Sequence, residues 1–158
     1  MARHAGGAEV SEELHVFVPT NRAYTSERNW GRPAPMDGLN EIVDSNRANR
    51  YEGAKVEREN VTHVASFVRS AMRKAGWRRM TMETRRRCVV RMEIVEPHDR
   101  RDVPNVIGGV SKYALDALTA TNPNGCGAIW DDKVKWVEFH PTVVIEPGSP
   151  GIYITIIR

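Results

Sequence analysis

The chain is poor in the residues on which disulfide scaffolds, zinc sites and redox pairs are built. It has two cysteines, Cys88 and Cys126, and no C-x-x-C. Neither a zinc ribbon nor a thiol redox pair is therefore suggested. Cys88 opens an apolar run and reads as a core residue. Cys126 lies in a Gly/Asn-rich loop, and nothing in the pattern requires a bridge between the two. The five histidines are scattered, without the i, i+4 pair that a helical zinc site uses. Gly108 to Lys112 reads GGVSK, which is not G-x-x-x-x-G-K-[ST], so no nucleotide cofactor is expected. Neither G-x-S-x-G nor H-E-x-x-H occurs. No apolar run approaches the roughly 20 residues that cross a bilayer, so no membrane partner is expected. MARHAGGAEVSEE lacks the apolar segment of a signal peptide, and a cytoplasmic location is the expectation.

What is present is basic charge, unevenly placed. The 158 residues carry a net charge of +3. From Arg69 to Arg101 there are eleven arginines and lysines against four acids, Glu83, Glu93, Glu96 and Asp99. A run of this kind is more often a solvated surface than a site. Where it does bind, its partner is a polyanion, most often nucleic acid. A generic RNA-binding domain is the weaker version, because no RNP-type aromatic motif is present.

The length and the 41% hydrophobic content suit one domain with a real core. Residues 1–13 read as a flexible tail, with the domain over 14–158. His15 to Pro19 reads as a strand stopped by proline. Asn21 to Asn40 is rich in Pro, Gly and Asn and reads as a long loop. Val61, Val64, Val68, Met72 and Ala75 recur at helical steps, which predicts a helix over 51–75 stopped by Gly76. Arg58, Arg69, Arg73 and Lys74 fall outside that stripe. Arg87 to Glu96 alternates Val90, Met92 and Ile94 with Arg91 and Glu93, a strand with one buried face. A second helix is expected over 110–120. Lys133 to Phe139, Val143 to Ile145 and Gly151 to Ile157 read as strands. The fold class expected is α/β (α+β): a mixed sheet with two main helices.

The residues that could carry chemistry are carboxylates at element boundaries. Asp102 follows one predicted strand, and Asp131 and Asp132 precede another. If both strands share a sheet, these acids can converge at its edge. Two carboxylates ~5 Å apart repel by roughly 3 kcal/mol at an effective dielectric near 20. A hard divalent ion, Mg²⁺ or Mn²⁺, relieves that repulsion. Lys112 can then neutralise charge on a phosphate. On spacing alone a plainer reading is preferred: Asp102 as a turn residue, Asp131 and Asp132 as loop caps, and Lys112 paired with Asp116 one helical turn on.

Several pieces, in order, shift that weighting. They are Arg100-Arg101-Asp102, Asn105, Lys112, Asp116-Ala117-Leu118-Thr119 and Trp130-Asp131-Asp132, preceded by a strand ending in Glu96-Pro97. Together they resemble the RusA family of Holliday-junction resolvases, well over about 35 residues and thinly over most of the chain. Pro19, Asn21 and Tyr24 are similar to that family's N-terminal segment, and GIYITII to its terminal strand. The resemblance implies a phage- or prophage-type, metal-dependent endodeoxyribonuclease that resolves branched DNA as a homodimer, in the host cytoplasm if phage-encoded. It gives catalytic roles to Asp102, Lys112 and Asp132, and metal binding to Asp102 and Asp132 with Asp131 in support. Arg85, Arg86, Arg87, Arg100 and Arg101 would hold DNA phosphates.

The chain departs from the pattern twice. Pro104 stands where the family has a second aspartate, and Asn105 to Lys112 is four residues longer. Asn105, Asp116, Asp99 and Asp131 are the candidate replacement ligands. Pro104 fixes φ and biases Val103 away from helix, so a rigid loop is expected after Asp102. The alternative function is a structure-selective DNA-binding protein that has lost cleavage through Pro104.

Overall fold

The computed structural model describes residues 12–158. Most of the expected tail, residues 1–11, lies outside them. The strand β1 runs Glu13–Pro19, two residues earlier than its apolar pattern suggested, and Glu12 pairs backbone to backbone with Arg158. The helices are α1 (Leu39–Ala48), α2 (Arg50–Ala75) and α3 (Val103–Leu118). The remaining strands are β2 (Cys88–Glu96), β3 (Val137–Ile145) and β4 (Gly151–Ile157). The sheet order is β1-β4-β2-β3. Only β2 and β3 run parallel; the other two pairings are antiparallel. This is a single-domain α+β fold with a mixed four-stranded sheet.

Alternation decides which sheet face is dry. Val90, Met92 and Ile94 on β2 and Ile152, Ile154 and Ile156 on β4 are buried against the helices. Val61, Val64, Val68 and Met72 of α2 meet them, as do Val106, Val110, Tyr113, Ala114 and Leu118 of α3. Burial of each large side chain contributes about 1.5–3 kcal/mol. Gly76 ends α2 at φ 68°, a left-handed cap. Arg58, Arg69, Arg73 and Lys74 lie exposed off the α2 stripe, as their spacing predicts, but Ala75 is exposed too. The opposite sheet face carries His15, Arg91, Glu93, His140 and Tyr153, and no helix among the described residues covers it.

Three local expectations are corrected. First, β3 is one strand, not two. Pro141 sits within it opposite Met92, on an edge strand where a missing N–H breaks no second ladder. Lys133 to Trp136 forms the turn ahead of it. Second, α1 occupies ground between the predicted loop and α2. It buries none of its residues fully, and its apolar side, Leu39, Ile42 and Val43, is too short to read as a helical stripe. Third, α3 begins at Val103, seven residues before the predicted start. Pro104 stands in its first turn, where an N–H has no helical partner anyway. The expected rigid loop after Asp102 is therefore helix.

Gly109 in α3 is a packing device. A side chain at Gly109 would meet the backbone of Gly38 at 2.2 Å and of Leu39 at 2.3 Å. Helices α1 and α3 approach there closely enough that only hydrogen fits. Asn105 locks the same contact: its Oδ1 accepts from the backbone N–H of Asn40 at 2.7 Å, in the first turn of α1. Next to it, Arg22 donates twice to Asp37 and Asn60 donates to its Oδ2 at 2.9 Å, tying the 20–38 loop to α2.

Candidate functional site: an acid cluster with flanking basic residues

Helix α3 separates the predicted site residues into two groups. Asp99, Arg100, Arg101, Asp102 and Asn105 belong to its N-terminal end. Lys112, Asp116, Asp131 and Asp132 gather towards its C-terminal end. At ~1.5 Å rise per residue, the fourteen positions from Asp102 to Asp116 span about 21 Å. Two ligands of one Mg²⁺ sit about 2.0–2.1 Å from the ion, hence within about 4 Å of each other. Asp102 and Asp132 of one chain therefore cannot share an ion in this geometry. The expected convergence of Asp102 with the Asp131-Asp132 pair does not occur, because residues 103–109, taken for a turn, are helix continuous with the predicted helix that follows.

At the N-terminal end, Asp102 is the N-cap residue of α3, exposed and without a capping bond from its side chain. Asp99 and Arg100 are also exposed. Arg101 is not. Its Nε donates to Glu96 at 2.7 Å, Nη1 to Glu41 at 2.9 Å, and Nη2 to Glu96 and the carbonyl of Met36. Its guanidinium is spent on joining β2, α1 and the 20–38 loop, so Arg101 leaves the set of open phosphate contacts. Burial works against its charge, but the bonds and charges of Glu96 and Glu41 outweigh burial and raise its pKa.

At the C-terminal end the chain doubles back. The peptide of Ile129 bridges to Thr119, just past α3, and Ala120 N–H donates to Ile129. This sets Asp131 and Asp132 beside the last turns of the helix. Asp131 Oδ1 accepts from Thr121 Oγ1 at 3.2 Å and from the Asp132 backbone N–H at 2.9 Å. Lys133 Nζ stands 3.8 Å from its Oδ2. Burial alone would raise Asp131, but these donors prevail and lower its pKa. Asp132 moves the other way. Burial, the hydrogen bond shared with Asp131, and the charges of Asp116 and Asp131 raise it. The two neighbours are thus shifted in opposite directions. Lys112 Nζ lies 3.6 Å from Asp116 Oδ2, the helical ion pair its spacing predicts.

The donors are hard oxygens, which suits Mg²⁺ or Mn²⁺. Among the described residues, no three His, Cys, Asp or Glu side chains converge tightly enough to form a ready metal cage. Mg²⁺ does not need one, because it keeps several waters and is commonly held by one or two carboxylates together with substrate phosphate. Asp131 and Asp132 fit that lesser requirement, with Asp116 behind them.

Basic residues flank the cluster. Arg85 lies 5.9 Å from the Trp130 ring centroid and 5.4 Å from that of Trp136, and Lys135 lies 5.1 Å from Trp136. Arg85, Arg86 and Arg87 are all exposed. Trp130 entered the sequence reading only as part of the Trp130-Asp131-Asp132 piece, and Trp136 was not singled out. Their adjacency to Asp131-Asp132 and Lys135 was the available signal. Cys88 and Cys126 are both free and buried. No helix is long and apolar enough to cross a membrane among the described residues. No family model, curated protein or solved structure matches the chain.

Proposed function

We propose that the protein is a divalent-metal-dependent endodeoxyribonuclease of RusA-like type, acting on branched DNA as a homodimer. The observation that carries this reading is the grouping of Asp116, Asp131 and Asp132 with Lys112, beside Arg85 near the Trp130 and Trp136 rings. Acids alone repel a phosphodiester. Acids able to hold Mg²⁺ or Mn²⁺, with cations alongside, attract one. The ion would supply an activated water and polarise the phosphate. Asp131 and Asp132 would hold the ion together, and its charge would offset the repulsion among the acids of the cluster. Lys112 would offset charge on the phosphate. Asn105 and Lys112 are seven apart on α3, so they share a face much as residues three apart do. The four extra residues therefore add about one helical turn instead of disrupting the helix. A two-fold dimer would present two such sites to a four-way junction.

The test is cleavage of labelled four-way-junction DNA with Mg²⁺ or Mn²⁺. Paired nicks in wild type, and their loss in Asp132→Asn with binding retained, are expected. Undiminished cleavage by Asp132→Asn would overturn the assignment.

One observation favours the second reading, a junction-binding protein without cleavage: Asp102 stands apart from the other acids. That reading expects tight, salt-sensitive binding and no nicking with either metal. Pro104→Asp would add an acid at the far end of α3, so it is expected to restore nothing.

A further inference from the structure

Beyond the acid cluster lies a pocket of about 490 Å³ walled by Arg78, Arg79, Thr81, Thr84, Arg86 and Arg158. Four arginines and two threonines line it, and no acidic residue does. Two of the arginines are fixed in place. Arg79 donates to the carbonyls of Gly125 and Ala120, at 3.1 Å each. Its stem lies where a side chain at Gly127 would be, 2.4 Å from Cγ. Arg158 lies over Trp77, 3.7 Å from the ring centroid, and donates to Glu12 and to the carbonyl of Arg78. Trp77 is itself anchored by its N–H to the carbonyl of Ala128. Each guanidinium has five N–H donors, so both keep unused ones. The side chains of Arg78 and Arg86 make no hydrogen bond or ion pair among the described residues. Glu12, on Arg158, is the one acid bonded to the group.

Four like charges with one carboxylate, Glu12, among them repel one another, and an anion offsets that repulsion. The planar fork of arginine suits a phosphate, which can accept two bonds from each guanidinium. We infer that this pocket binds a phosphate of a nucleic-acid strand, as a second anchoring point distinct from the acid cluster. The inference rests on the nuclease reading for the identity of the strand. The pocket and the acids are linked through one short segment: Arg86 lines the pocket while Arg85, its neighbour, lies over Trp130 next to Asp131. A strand bound at both would cross that segment.

The experiment is fluorescence anisotropy of labelled junction DNA over a salt series, in EDTA so that nothing is cut. The exposed double variant Arg78→Gln/Arg86→Gln is compared with wild type and with a charge-matched control, Arg47→Gln/Arg50→Gln. Each phosphate contact contributes about 0.9 to the slope of log K against log salt. The pocket variant is expected to flatten that slope by about 1 and to weaken binding several-fold, while the control keeps the wild-type slope. An unchanged slope in the pocket variant, or an equal change in the control, overturns the pocket assignment and leaves the nuclease reading standing. If wild type binds no DNA, both the nuclease reading and the strand fail. An NMR titration of wild type with inorganic phosphate then separates the two: shifts of the Arg79 and Arg158 side-chain N–H signals would keep the pocket as an anion site, and their absence would remove it.

Discussion

Gly108 and Gly109 are neighbours in the middle of α3, and alanine should act on them with opposite sign. Within a helix, alanine is favoured over glycine by about 1 kcal/mol. At Gly108 the added methyl meets nothing nearer than Leu39 Cδ2 at 3.7 Å, an ordinary contact. Gly108→Ala should therefore stabilise by up to about 1 kcal/mol, raising Tm by about 2–4 °C for a chain of this size. At Gly109 the methyl would stand 2.2 to 2.6 Å from backbone atoms of Gly38 and Leu39, where about 3.5 Å is needed. The start of α1 has to retreat by more than about 1 Å. That retreat strains the Asn40–Asn105 bond at 2.7 Å and the Arg101–Glu41 bridge at 2.9 Å. Overpacking costs about 1–3 kcal/mol, and the loss of a cap about 1 more. The helix-propensity gain cancels roughly the latter, so Gly109→Ala should destabilise by about 1–3 kcal/mol. Urea unfolding followed by circular dichroism measures both variants. If Gly109→Ala is as stabilising as Gly108→Ala, the close approach of α1 and α3 is wrong.

Arg100 and Arg101 form a second contrasting pair. Arg101→Ala strands the buried Glu96 carboxylate and should cost about 3–5 kcal/mol, while Arg100→Ala should stay within about 0.5 kcal/mol in the same unfolding assay. Asp132 gives a pH signature. Its folded pKa is raised, so its ionised form is disfavoured in the native state, and this burden grows as pH rises through that pKa. Without metal, Asp132→Asn should melt above wild type at neutral pH, with the gap closing well below the ordinary aspartate range; a gap that widens on acidification contradicts the raised pKa. Burial raises both thiols, Cys88 to about 11. Neither should react with a disulfide reagent near neutral pH until the chain is unfolded, and rapid labelling of the native protein would refute their burial.

The elements legible in sequence were those whose own side chains meet the core. The α2 stripe and the β2 alternation are local patterns with local readings. Helix α1 buries none of its residues fully, and what holds it lies elsewhere: Asn105 at its start and Arg101 on Glu41, sixty positions away. The start of α3 was hidden because Pro and Gly signal turns on average. Here one takes the first helical turn and the other permits a helix crossing, both settled by tertiary contact. The candidate site was half legible. Asp131 and Asp132 are adjacent in the chain, and Lys112 and Asp116 follow helical spacing. That these pairs meet depends on the Thr119–Ile129 bridge, which no local pattern encodes. Asp102 was grouped with them because α3 was read seven residues too short.

The position of β4 bears on how the chain is made. It follows the other three strands of the sheet in sequence, yet it lies between β1 and β2. During synthesis β1 and β2 emerge with no strand to join them, and both keep open edges until residues 151–157 leave the ribosome. Pairings this distant along the chain form slowly, and open edges invite association with other nascent chains. A ribosome-stalled chain ending before Gly151 should therefore hold helix but no complete sheet, and β4 should act as the step that commits the domain to its fold.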